Sequence, residues 1–282
     1  MTTVAPVISP DWLIAHLNDE ALRIVDASWF LPNDDRTGAE EHAKAHIPGA
    51  VFFDIDAVAD TTSALPHMLP SPEAFAEAVG ALGISEKHHI VVYDALGLFS
   101  APRVWWTFRE MGADWVSVLD GGLPAWTAIG GPVTAAATDP APAVFTPRPR
   151  ASVVDLDDVR VAINQEHVKV VDARPAPRFR GHASEPRPGV RSGHVPGSLN
   201  VPFDAVIENG RLRSAEDIET VFRDAGVDPA HTVIASCGSG VTAAVLVLAL
   251  DRIGVTGARL YDGSWSEWGS HPDTPVATVP HS

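Results

Sequence analysis

Short apolar runs rich in valine and isoleucine alternate along this chain with segments of helical periodicity. LRIVDA, HIVVYD and VSVLDGG in the first half, then VKVVDA, TVIASC and ARLYDGS in the second, predict strands. SPEAFAEAVGALG and SAEDIETVFRDAG predict amphipathic helices, with Ser71 and Ser214 as N-caps, an acid in each first turn and glycine near each end. Strands that alternate with helices predict an α/β fold in which a parallel sheet is flanked by helices on both faces. The longest apolar run, VTAAVLVLAL from Val241, falls far short of the roughly 20 residues a membrane span needs and predicts a buried helix.

The pattern occurs twice. VDASWF at Val25 answers VDARPA at Val171, and AHIPGAVFFDI at Ala45 answers GHVPGSLNVPF at Gly193. LGISEKHHIVVYD answers AGVDPAHTVIASC, and SVLDGGLPAW answers ARLYDGSWSEW, in the same order. Four ordered matches indicate a duplicated unit, which divides the chain into residues 1–133 and 151–282. Residues 134–150, rich in proline, alanine and threonine, are expected to be an extended, stiff linker wrapping one domain against the other.

The 282 residues comfortably build two domains. A formal charge of -16 disfavours nucleic acid and anionic membranes as partners. A single cysteine rules out an intrachain disulfide and a thiolate-rich zinc site, and with no signal-like start it leads us to expect a soluble cytoplasmic protein.

The duplication also filters candidates, because residues present in both copies are read as scaffold. Asp120 and Asp262, Trp126 and Trp268, and the HxPG histidines His46 and His194 fall in that class. Cys237 does not, since its counterpart is Asp94. It follows a strand and opens the loop CGSGVT, which runs into the buried helix. Backbone N–H groups at such a corner form an anion cradle that favours a thiolate. Gly238 and Gly240 permit close approach, and Ser239 and Thr242 supply hydroxyls for a ligand or for local capping. A second one-copy feature is the run Arg174, Arg178, Arg180, Arg187 and Arg191, which implies a small anionic substrate.

These segments resemble the tandem-rhodanese sulfurtransferases along the whole chain, through HIPGAVFFDID, SAPRVWW, LDGGLPAW, RFRG, EPR, GHVPGSLNVPF and YDGSWSEW. CGSGVTA is similar to the active-site loop of the 3-mercaptopyruvate sulfurtransferases. Thiosulfate-preferring members typically carry cations inside that loop, where this chain has Gly238 and Ser239. The resemblance implies that Cys237 carries sulfur as a persulfide within the loop Gly238, Ser239, Gly240, Val241 and Thr242. It implies that Arg178 and Arg187 hold the carboxylate and keto oxygen of 3-mercaptopyruvate, and that Ser239, His46 and Asp35 relay a proton. The first domain is then catalytically inactive. A thiol acceptor, such as a thioredoxin-like protein, or cyanide takes the sulfur, and no metal or organic cofactor is required. Thiosulfate as donor, a non-catalytic sulfur carrier and a phosphatase remain open as alternatives, the last disfavoured because the loop has no terminal arginine.

Overall fold

The computed structural model describes residues 4–31, 33–228 and 230–280. The chain forms two compact units. The first comprises Met1–Thr61, Leu69–Arg150 and Asn209–Leu212, and the second Thr62–Met68, Ala151–Glu208 and Arg213–Ser282.

In the first unit the elements run β1 (Val7–Ile8), α1 (Pro10–His16), β2 (Leu22–Asp26), α2 (Gly38–Lys44), β3 (Ala50–Phe52), α3 (Pro72–Ala81), β4 (His89–Tyr93), α4 (Ala101–Glu110), β5 (Val116–Leu119) and α5 (Gly122–Ala128). Their sheet order is β1-β5-β4-β2-β3, all parallel. The second half runs β6 (Val153–Val154), α6 (Leu156–Ala162), β7 (Val168–Asp172), α7 (Ala176–Arg180), β8 (Leu199–Asn200), a short ribbon of β9 (Ile207–Glu208) and β10 (Arg211–Leu212), α8 (Ala215–Asp224), β11 (Thr232–Ser236), α9 (Ala243–Arg252), β12 (Arg259–Tyr261) and α10 (Ser264–Trp268). Its parallel sheet has the same order, β6-β12-β11-β7-β8.

The six strands and two helices expected from periodicity are all present. Central strands are apolar because both of their faces are covered. The side chains of Ser71 and Ser214 accept from the N–H groups of Ala74 and Asp217, as N-caps do. α9 is buried from Ala243 through Leu250, so it is a core helix.

Residues 134–150 depart from the expected linker. They contain no regular element, and they are a strap on the first unit. Thr134 and His46 exchange backbone hydrogen bonds, Ala143 donates to Gly80, and Arg148 and Arg150 donate to Met111 and Glu110. Phe145 is buried against Phe75 and Phe108. Irregular backbone pairing of this kind leaves no periodicity to read.

The scaffold residues behave alike in both copies. The indole N–H groups of Trp126 and Trp268 donate to the carbonyls of Pro132 and Pro275, each at 2.8 Å. His46 and His194 are buried, and each stacks on an upstream ring, His42 or Phe179, whose carbonyl lies within hydrogen-bonding distance of Nδ1.

Candidate active site

Cys237 stands one residue past β11, the central strand between β7 and β12, at the carboxyl edge of the second sheet, where open α/β sheets bind ligands. Its thiol is free and buried, with the residue 2% exposed. The peptide before the loop is held firmly. Ser264 Oγ accepts the Cys237 N–H at 3.1 Å and donates to the Tyr261 carbonyl at 2.8 Å. The Cys237 carbonyl accepts from Trp265 N–H, and the Gly238 carbonyl accepts from both the N–H and the hydroxyl of Ser266.

Beyond that anchor the loop keeps its donors unspent. Gly240 turns it with φ of 79°, a left-handed conformation that glycine adopts without steric cost. Among the described residues, the N–H groups of Ser239, Val241 and Thr242 meet no acceptor, and Thr242 does not cap α9 through its side chain. Donors just before a buried helix are placed to stabilise an anion.

Arg178 brings positive charge to this loop. A methyl group built on Gly238 would stand 3.2 Å from Arg178 Nη2, so the guanidinium lies directly over the glycine. Glu185 fixes it, accepting from Arg178 Nε at 3.2 Å and Nη2 at 2.5 Å, and also from Arg174 Nη1 at 2.8 Å. Arg174 is itself buried against Asp172, the Gly193 carbonyl and the face of Trp265. The sequence run of five arginines therefore separates by role. Arg174 is structural, and Arg191 is too, since it donates to the carbonyls of Trp268, Gly269, His271 and Thr274. Arg180 is exposed and Arg187 half-buried.

The first unit repeats the corner with an aspartate. The Asp94 carboxylate accepts four backbone N–H groups, from Leu96, Phe99, Ser100 and Ala101, at 2.8–3.0 Å. Burial pushes this carboxyl above its ordinary value, and the four amides oppose that shift. In this unit the cradle is already filled by a side chain.

Cys237, Gly238, Ser239, Gly240, Val241, Thr242, Arg178 and Arg187 all lie in the second unit; His46 and Asp35 lie in the first. Both ring nitrogens of His46 face carbonyl oxygens, those of His42 and Ala136. Asp35 is exposed and lines a cavity of about 490 Å3 with Phe30, Leu31, Asn33, Asp34, Leu96 and Phe99. Asp34 is engaged by Arg36, with the nitrogens at 2.9 and 3.0 Å, and Asp35 makes no such pair among the described residues. Sequence reasoning missed Glu185 and Ser264. Glu185 is the acid inside the EPR segment, and Ser264 stands where the first copy has Gly122.

Comparison with known proteins places these features in a family context. The profile of the rhodanese-like domain matches residues 9–129 and 155–271. The chain is 45% identical over 277 residues to the 3-mercaptopyruvate sulfurtransferase of Escherichia coli strain K12, covering 96% of this chain and 98% of that one. It is 42% identical to the mitochondrial thiosulfate/3-mercaptopyruvate sulfurtransferase 1 of Arabidopsis thaliana, covering 100% and 80%. The crystal structure of SseA from Escherichia coli superposes with a TM-score of 0.86 at 42% identity, over 93% of this chain and 99% of that one.

Proposed function

Since this chain belongs to the rhodanese-like family, with two such domains in tandem, we propose that it transfers sulfur from 3-mercaptopyruvate through a persulfide on Cys237 to a thiol acceptor, releasing pyruvate. The observation that carries this reading is the loop after Cys237. It joins a buried thiol, three N–H groups without acceptors among the described residues and an arginine held over Gly238.

The Cys237 thiolate attacks the donor sulfur, the S–C bond breaks, and its electron pair passes to the enolate of pyruvate. The proton that leaves the mercapto group ends on the pyruvate methyl carbon, and the Ser239 hydroxyl is the group we assign to carry it. Negative charge left on the outer sulfur is met by the loop amides. Arg178, whose Nη1 is not taken by Glu185, and Arg187 receive the carboxylate and keto oxygen. The first domain is catalytically inactive because Asp94 fills its cradle. No helix among the described residues is long and apolar enough to cross a membrane, and a cytoplasmic setting suits a lone reactive thiol.

Thiosulfate is the second reading, favoured by the donor pair in the name of the Arabidopsis relative. Donor treatment followed by intact-mass measurement tests both. Wild type should gain one sulfur atom, faster from 3-mercaptopyruvate than from thiosulfate; Cys237→Ser should gain none, and Arg178→Ala should load at least tenfold more slowly. A wild-type protein with no mass gain would defeat the proposal.

A further inference from the structure

Arg178 extends from α7, a helix of little more than one turn, and so short a helix does not hold its conformation without partners from elsewhere in the fold. Its carbonyl groups identify those partners. Pro177 and Arg178 are served locally, accepting from the N–H groups of His182, Ala183 and Gly181. The Phe179 carbonyl faces His194 Nδ1 at 2.8 Å. The last carbonyl, of Arg180, accepts the N–H of Val279 at 3.0 Å, and the Val279 carbonyl in turn lies 2.8 Å from His182 Nε2. A carbonyl can only accept, so the imidazole is the donor. Residue 279 thus ties off α7 from both sides of Gly181.

The same tail closes the loop that follows. The loop from Gly181 to Gly193 contains Glu185 and Arg187, and its ends meet at a narrow neck. A methyl group on Gly181 would stand 2.9 Å from Thr278 Cγ2 and 3.5 Å from the Gly193 nitrogen. One on Gly193 would stand 3.2 Å from that same Cγ2 and 2.5 Å from the Ala277 carbonyl oxygen. The methyl of Thr278 therefore fills the notch that the two glycines leave. One residue further on, His194 and Ala277 exchange backbone hydrogen bonds at 2.9 and 3.0 Å. A compact loop with its ends together is oriented by what holds its neck.

The first unit has the same bridge, between His46 and Thr134, but uses the residues beyond it differently. There the Ala136 carbonyl faces His46 itself, at 3.1 Å, and the position that matches Thr278 is Ala135. In the second unit the equivalent carbonyl, of Val279, is turned toward the arginine-bearing segment. We infer that His182 and Thr278 are positioning residues for the sulfur donor. Through residues 276–279 they hold α7 and the neck of the loop so that Arg178 and Arg187 meet the donor's carboxylate and keto oxygen together. The inference rests on the reading of those two arginines given above. Glu185 fixes the guanidinium of Arg178, and the tail fixes the backbone from which it extends. Displacing that backbone weakens the hold on the donor while leaving Cys237 and its loop intact.

The test measures single-turnover sulfur loading by intact mass across a range of 3-mercaptopyruvate concentrations, with the full chain. The variants are His182→Ala, His182→Gln, Thr278→Ser and Thr278→Val, each also made in an Arg178→Ala background. Both residues are exposed, so the variants should melt with wild type. His182→Ala and Thr278→Ser should raise the half-saturating donor concentration about fivefold with the limiting rate unchanged. His182→Gln, which keeps a donor, and Thr278→Val, which keeps the methyl, should recover most of the loss. In the Arg178→Ala background neither His182→Ala nor Thr278→Ser should raise it further, because residues acting through one partner are not additive. Wild-type half-saturation in both single variants, or the same increment with and without Arg178, would overturn this inference only. Wild-type half-saturation in Arg178→Ala alone would remove the reading of Arg178 and this inference with it, and no mass gain in wild type would remove the persulfide reading as well.

Discussion

Ser264 accepts the N–H of Cys237 and does so from a left-handed backbone, φ 50°, at the position where the duplicate has Gly122 at φ 53°. In the first unit a methyl group on Gly122 would come within 2.3 Å of the Asp94 carbonyl oxygen. The second unit carries a side chain there and uses its hydroxyl to fix the peptide that bears the nucleophile.

Ser264→Ala keeps the strained backbone and strands a buried N–H, which should cost about 1–3 kcal/mol. Ser264→Gly loses the same acceptor but relieves about 1 kcal/mol of strain, so it should melt above the alanine variant. Both should load sulfur more slowly than wild type. Thermal melts and mass-detected loading check this, and an alanine variant as stable as wild type would remove Ser264 from the design of the site.

Glu185 ties the structural Arg174 to Arg178 at the loop. Its side chain is only 4% exposed, so Glu185→Ala leaves two guanidiniums without their shared anion. The expected loss is about 3–5 kcal/mol. Glu185→Gln keeps the shape and should be milder. In both variants Arg178 loses its tether, so KM for the donor should rise more than kcat falls; steady-state kinetics separate the two.

Asp94 should matter to stability and not to sulfur transfer. Its Oδ2 accepts three N–H groups and its Oδ1 a fourth. Asp94→Asn can serve the three through its oxygen, but it turns an NH2 group toward the Leu96 N–H, which should cost about 1–3 kcal/mol. Asp94→Ala should cost more. At a temperature where both variants are folded, Cys237 should load at the wild-type rate; a slowed rate would give the Asp94 corner a role in the chemistry.

The fold was legible because duplication printed each central strand, and the one capped helix, twice, once in each half. Short strands such as Val7–Ile8 and Leu199–Asn200 carry too few residues for a period to appear. Residues 134–150 looked like a linker because their contacts are backbone pairs with scattered residues and one buried phenylalanine. Within the site, Cys237 stood out through asymmetry between the copies. The arginines did not sort themselves, because spacing does not reveal which guanidinium is spent on carbonyls, as in Arg191, and which reaches the loop, as in Arg178. Glu185 and Ser264 are common residue types whose importance lies in partners distant in sequence or in an unusual φ.

Acid should weaken the first unit through His88. Its Nδ1 accepts the Ser85 N–H at 3.0 Å, a bond available only to the unprotonated nitrogen. Burial, then the neighbouring charge of Arg23, holds the ring below its ordinary value of 6.5. His89 shifts the same way, through burial and then His16. As pH falls from 6.5 toward these lowered folded-state values, the unfolded chain binds protons that the folded rings refuse. Stability must therefore drop across that window, and above 6.5 the two rings contribute no slope. His88→Asn supplies an amide oxygen to Ser85 without a titrating group, so it should flatten the dependence. Urea denaturation of wild type and His88→Asn from pH 7.5 to pH 5 measures this, and parallel curves for the two proteins would show that the acid sensitivity arises elsewhere.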